Sequence, residues 1–199
     1  MIKYIFIIQF ISITLCFTTT DAVGENGVVV SSKIDATSIG IDILKKGGNA
    51  IDAAVAVGFA LAVTHSAAGN IGGGGFLVLR LADGTITTLD FREVAPLRSS
   101  RDMFLDEMGN VINGLSWSSI LSSGVPGTVA GLGYIHEKYG VLSWEEVLYP
   151  SILLAKHGFN LDYYTVSVLN TKKYKNKLSI YPATKEIFTK SNDYKIGEL

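Results

Sequence analysis

The stretch GNIGGGGFLVLR, residues 69–80, places four consecutive glycines directly before an apolar, strand-like run. Such a loop has two physical explanations. Its backbone N–H groups can cradle a phosphate, or neighbouring backbone leaves no room for a Cβ. A dinucleotide fingerprint needs glycines at its first, third and sixth positions, between a strand and a helix. No frame through residues 69–75 supplies the third glycine, because Leu77 and Val78 occupy the candidate positions. The order is also reversed, since these glycines follow a helical stretch and open a strand. A P-loop would need Gly-Lys-Ser/Thr, and the loop holds no lysine. The steric explanation remains: glycine is required where strands or a neighbouring segment crowd the backbone, or where φ is positive.

Working outward, FLVLRLA and TITTLDF flank Asp83-Gly84, which predicts a β-hairpin with a two-residue turn. Before the glycines, Asn49 and Asp52 form a capping-box pattern for a helix over Ala50–Thr64, whose alanines and Gly58 predict a buried element. Farther upstream, Val28-Val29-Val30 predicts a strand over residues 27–31. Asp35 is the expected N-cap of a helix bearing Ala36, Ile39, Ile43 and Leu44 on one face and ending at Gly47-Gly48. Downstream, Pro126 is expected at the first position of a helix running to Tyr139. Ser143 and Glu146 form a second capping box, opening a helix expected to kink or break at Pro150 and to stop at Gly158. The remainder is predicted helical to about Lys173 and irregular beyond it.

Of the 199 residues, 48% are hydrophobic and 18% charged, which predicts a folded body rather than a disordered chain. A net charge of −1 gives no electrostatic footprint for nucleic acid or an anionic membrane. The lysine cluster at Lys172, Lys173, Lys175 and Lys177 reads as a solvated helix end. Residues 1–22 have the anatomy of a secretory signal peptide: Lys3, an apolar run over residues 5–17, then a short polar stretch. The expectation is export to the periplasm or beyond, with residues 23–199 as the mature chain and no membrane association after cleavage. Cys16 is the only cysteine and lies in that leader, so no disulfide, catalytic thiol or cysteine-ligated metal is expected afterwards.

His65, His136 and His157 are scattered without i,i+4 spacing, so no metal site is expected. His65, just before the glycine loop, is the histidine best placed to reach a site. No Gly-x-Ser-x-Gly elbow occurs, and Ser116, Ser118, Ser119, Ser122 and Ser123 have no evident base. The most suggestive segment is LDFREVAP, residues 89–96, where Arg92 leaves a strand beside Glu93 and enters a proline-containing loop. A guanidinium at the mouth of a sheet suits bidentate capture of a carboxylate; on spacing alone a rim salt bridge to a neighbouring acid is the other reading.

Taken together, DATSIGIDILKKGGNAIDAAVAVGFALAVTHSAAGNIGGGGFLVLR, DFREVAP and SGVPGTVAGL resemble gamma-glutamyltranspeptidase, in the same order, from about Val28 to at least Phe159. The resemblance implies an α/β (α+β) N-terminal-nucleophile hydrolase, an αββα sandwich of which these residues would form the N-terminal portion of the large subunit. It implies a γ-glutamyl donor such as glutathione, transfer to water or an amino-acid or peptide acceptor through a threonine acyl-enzyme, and no cofactor. It assigns the donor's α-carboxylate to Arg92, with Glu93 in support. The family's nucleophile lies in a Thr-Thr-His-like motif that these residues lack, so the expectation is a carboxylate hook without its nucleophile, catalytically incompetent alone. A small-subunit segment downstream or in trans would complete it. The alternative is a non-enzymatic exported binding protein or relic that retains Arg92.

Overall fold

The computed structural model describes residues 22–69 and 71–199. The leader, except Ala22, and Asn70 of the glycine stretch lie outside the described residues.

Helix α1, Ile34–Lys45, and helix α2, Ala50–Thr64, form the first packed pair. At the start of α2 the Asn49 side chain accepts from the N–H groups of Ile51 and Asp52, and the Asp52 carboxylate accepts from the Asn49 N–H at 2.8 Å, as the pattern predicts. The N-cap of α1 is Lys33, not Asp35; the Asp35 carboxylate lies inside the first turn, where the helix dipole favours it without a capping bond. Gly47, at φ +100°, takes the left-handed turn that ends the helix. Small residues let the pair approach closely: a Cβ on Gly40 would stand 2.7 Å from Val57 Cγ2.

Helix α2 is the centre of the core, as its composition predicts. Ile51, Ala53, Val55, Ala56 and Ala60 are buried on it. Leu89 and Phe91 pack against this core, together with Ile43 of α1, Leu132 and Ile135 of a helix over Thr128–Tyr139, and Val147 of a helix over Trp144–His157. Each fully buried side chain of this kind contributes about 1.5–3 kcal/mol.

The hairpin pairs β1, Phe76–Arg80, antiparallel with β2, Ile86–Asp90, in the register Phe76↔Asp90 to Arg80↔Ile86. Leu77, Leu79 and Leu89 face the core, while Phe76, Val78 and Ile86 are exposed on the outer face. The turn is longer than two residues. Leu81 N–H donates to Thr85 O at 2.8 Å, leaving Ala82, Asp83 and Gly84 as the loop, with Gly84 at φ +88°.

Helix α3, Leu115–Ser118, is short. Helix α4, Thr128–Tyr139, starts two residues later than expected: its N-cap is Gly127, and Pro126 stands outside it. Helix α5, Trp144–His157, has the predicted Ser143–Glu146 box and runs through Pro150 to Gly158. Flanking turns hold the proline within the helix, so the expected break is absent. Beyond it stand α6, Tyr163–Leu169, α7, Lys172–Leu178, and α8, Pro182–Phe188, where helix to Lys173 and then irregular chain were expected. Residues 27–31 are not a strand, since β-branched residues favour extended backbone but a ladder requires a neighbour. Among the described residues the only sheet is the hairpin, and Val28 and Val30 are exposed.

A buried lysine ties α6 to the body. Lys33, 6% exposed, donates from Nζ to Asp162 Oδ2 at 2.5 Å and to Thr165 Oγ1 at 2.8 Å. Burial pushes the Asp162 carboxyl upward, but the Lys33 bond and the Thr165 N–H outweigh it and hold the pKa at about 2.

Candidate functional site

Strand β2 ends at Asp90, and its Oδ1 accepts the Arg92 N–H at 3.0 Å, turning the chain out of the sheet. Phe91 N–H donates to Gly75 O at 3.0 Å, and Val94 pairs with Val125 in an isolated antiparallel bridge. Phe91-Arg92-Glu93 is therefore clasped between the glycine loop on one side and residues 124–131 on the other.

The glycines are what permit that clasp. A Cβ on Gly74 would lie 2.6 Å from Phe91 O and 2.8 Å from Glu93 N; on Gly127 it would lie 1.9 Å from Phe91 O; on Gly131, 2.2 Å from Phe91 Cγ. Gly73 O accepts the N–H groups of Gly127 and Thr128 at 2.9 and 3.0 Å, so the loop presents a carbonyl to the start of α4. The glycines serve close backbone approach, and they surround the residue before Arg92.

Arg92 lines an open cleft of about 570 Å³ with Glu93, and the walls come from two loops carrying Ser99, Ser100, Met103 and Phe104, and Ser116, Ser122 and Ser123. Arg92 is exposed, and among the described residues its guanidinium forms no ion pair, with Glu93 or any other acid. The rim salt bridge is thus absent. A free, planar cation on a rigid backbone can take a carboxylate through two parallel N–H···O bonds. Glu93 also borders an adjoining hollow lined by Gly73, Gly74, Gly75 and Thr128, and its Cβ stands 3.0 Å from the Cβ position of Gly124.

Other candidates fall elsewhere. His65 caps the C-terminus of α2 and its ring lies 5.8 Å from that of Tyr164, away from the cleft lining. His136 is near the end of α4 with Nε2 3.4 Å from Asp52 Oδ1, and His157 is exposed in the last turn of α5. Among the described residues no cluster of three or more His, Cys, Asp or Glu could hold a metal ion, and no helix is long and apolar enough to cross a membrane. Sequence reasoning missed Ser99, Ser100, Met103 and Phe104, which no motif marks. It singled out the later serines only for want of a base, whereas Ser116, Ser122 and Ser123 join Arg92 in one cleft.

A family model described as gamma-glutamyltranspeptidase matches residues 36–199. A glutathione hydrolase proenzyme of Pseudomonas sp. (strain A14) is 54% identical over 147 residues, 74% of this chain and 26% of its own length. The glutathione hydrolase proenzyme of Escherichia coli (strain K12) is 53% identical over 135 residues, 68% of this chain and 23% of its own. The crystal structure of Helicobacter pylori gamma-glutamyltranspeptidase superposes with a TM-score of 0.84 at 45% identity, covering 89% of this chain and 51% of that one. The chain thus spans about a quarter of these curated relatives and about half of that solved chain. The mixed helix-and-hairpin architecture is part of the α+β, N-terminal-nucleophile hydrolase fold of these enzymes. Motif order, backbone and sequence agree, and the chain belongs to the gamma-glutamyltranspeptidase family.

Proposed function

We propose that this chain is the N-terminal portion of a gamma-glutamyltransferase and glutathione hydrolase, residues 23–199 belonging to its large subunit, and that Arg92 holds the α-carboxylate of a γ-glutamyl donor such as glutathione. The observation that carries the reading is the Arg92 guanidinium in the cleft, without an ion-pair partner among the described residues, on a backbone clasped by glycines of two segments. Glu93 supports it as the next link of that clasped backbone. In the reaction, a threonine hydroxyl oxygen bonds to the donor's γ-carbonyl carbon, the amide C–N bond breaks, and the amine leaves with the hydroxyl proton. Water or an amino-acid acceptor then attacks the ester and frees the threonine. Among the described residues no threonine lines the Arg92 cleft, and the reading assigns the nucleophile to a small-subunit segment. The leader-like residues 1–22 support export, and no cofactor enters the reaction.

Titration calorimetry of the chain with glutamate tests the site. The unaltered chain is expected to bind, Arg92→Ala to abolish binding, and Arg92→Lys, a point charge in place of a fork, to weaken it about tenfold. Equal binding by Arg92→Ala would sink the assignment. Release of nitroaniline from a γ-glutamyl nitroanilide by the chain alone would refute the placing of the nucleophile outside it.

A further inference from the structure

The Arg92 cleft is larger and more polar than capture of one carboxylate requires. At about 570 Å³ it falls within the range of sites that enclose a whole small ligand. Among the described residues, Arg92 and Glu93 are the only formally charged side chains on its lining, and the other side chains there are serine and apolar. Neutral hydroxyls beside apolar surface match the N–H and C=O groups of a peptide.

The serines divide into two sets. Ser118, Ser119 and Ser122 donate their hydroxyls to backbone carbonyls: Gly114 O at 2.7 Å, Leu115 O at 2.6 Å and Ser119 O at 2.6 Å. Those bonds hold the wall in shape. Ser99, Ser100, Ser116 and Ser123 make no side-chain hydrogen bond among the described residues, and all four line the cleft. One short stretch thus uses some hydroxyls to fold itself and keeps others, without a partner among the described residues, on the lining of the cleft. The opposite loop is braced as well, by Ser99 N–H to Pro96 O at 2.9 Å.

We infer that Ser99, Ser100, Ser116 and Ser123 form a second, neutral subsite that recognises the peptide portion of a γ-glutamyl peptide whose carboxylate sits on Arg92. The inference rests on the reading of Arg92 as the carboxylate hook. A hydroxyl can donate to a peptide carbonyl or accept from a peptide N–H, so the subsite grips the amide-bearing part of the ligand without demanding a particular side chain.

Calorimetry on the full 199-residue chain separates this subsite from the hook, with glutathione and glutamate as probes. Glutathione is expected to bind more tightly than glutamate. Ser116→Ala and Ser123→Ala should each weaken glutathione about three- to tenfold, one neutral hydrogen bond apiece, and leave glutamate unchanged. Ser118→Ala, whose hydroxyl is already bonded to the backbone and does not line the cleft, should affect neither ligand. Both lining serines are exposed, so the variants are expected to keep the far-ultraviolet circular dichroism of the parent. Equal weakening of both ligands would reveal a merely structural role and overturn the subsite. So would no effect on either, or glutathione no tighter than glutamate, with Arg92→Ala still weakening both. If Arg92→Ala alters neither ligand, the hook itself is wrong and the subsite falls with it.

Discussion

Two glycines two residues apart on α4 test the steric reading of the glycine-rich motifs. Gly131 and Gly133 both sit inside the helix, and neither has a positive φ. By helix propensity alone each Gly→Ala change should stabilise the protein by about 0.8–1 kcal/mol. Around Gly133 nothing lies within 4 Å of the new Cβ, so Gly133→Ala should realise that gain. At Gly131 the new Cβ would lie 2.2, 2.4 and 2.8 Å from Phe91 Cγ, Cβ and Cδ1, so the Phe91 ring and its Cα must shift. Overpacking of this kind costs about 1–3 kcal/mol, enough to cancel the propensity gain and in most of that range to exceed it. At this size about 1 kcal/mol moves the melting temperature by about 2–4 °C, so the two variants should diverge in opposite directions in a calorimetric scan. Because Arg92 follows Phe91, Gly131→Ala should also weaken glutamate binding, whereas Gly133→Ala should not. If both variants are equally stabilised, crowding is not why glycine stands at 131.

Three further outcomes follow from buried polar contacts and one exposed bond. Asp52 is fully buried and its carboxylate accepts from the N–H groups of Asn49, Val141 and Leu142, so Asp52→Ala should destabilise by about 3–5 kcal/mol in urea unfolding, from buried donors left unpaired. Asp162 is held at about 2 against an ordinary 3.8, so its contribution is complete above about pH 4 and is lost as pH falls towards 2; proteolysis of the chain beyond Gly158 should rise across that window, and Asp162→Asn should flatten the rise. Tyr181→Phe removes the bond from its hydroxyl to Ser118 O at 3.0 Å and should cost less than about 1 kcal/mol in the same urea titration, the bond being exposed.

What the sequence disclosed was local. Asn49 with Asp52, Ser143 with Glu146, and the alternating runs around Asp83-Gly84 each carry their partners within a few residues, so type and place could be read from spacing. The valines of residues 27–31 could not be, because extended backbone becomes a strand only when a distant segment pairs with it. After Gly158 the sequence showed helix only to about Lys173, which covers Tyr163–Leu169; its anchoring by Lys33 from 129 residues away, and the helices Lys172–Leu178 and Pro182–Phe188 that continue the chain, were not legible. Within the site, Arg92 was legible as a cation leaving a strand, and the glycine loop as a crowded backbone. The crowding partner was not, since nothing in GGGG or VPGTVAG points to Phe91. The serine wall was invisible because its two halves meet only in space.

Asp52 serves two helix ends at once: it closes the cap of α2 and receives the N–H groups that follow α4, while the Asn49 side chain donates to Tyr139 O at 2.6 Å. Helix ends ordinarily fray independently and exchange their amide protons quickly. Here the first turn of α2, the last of α4 and the chain leading into the Ser143 cap cannot open separately, because each opening would strand the same buried carboxylate. Hydrogen–deuterium exchange should therefore find the amides of Asn49, Val141 and Leu142 leaving through one shared, rare event: three points of the chain that open on a single clock.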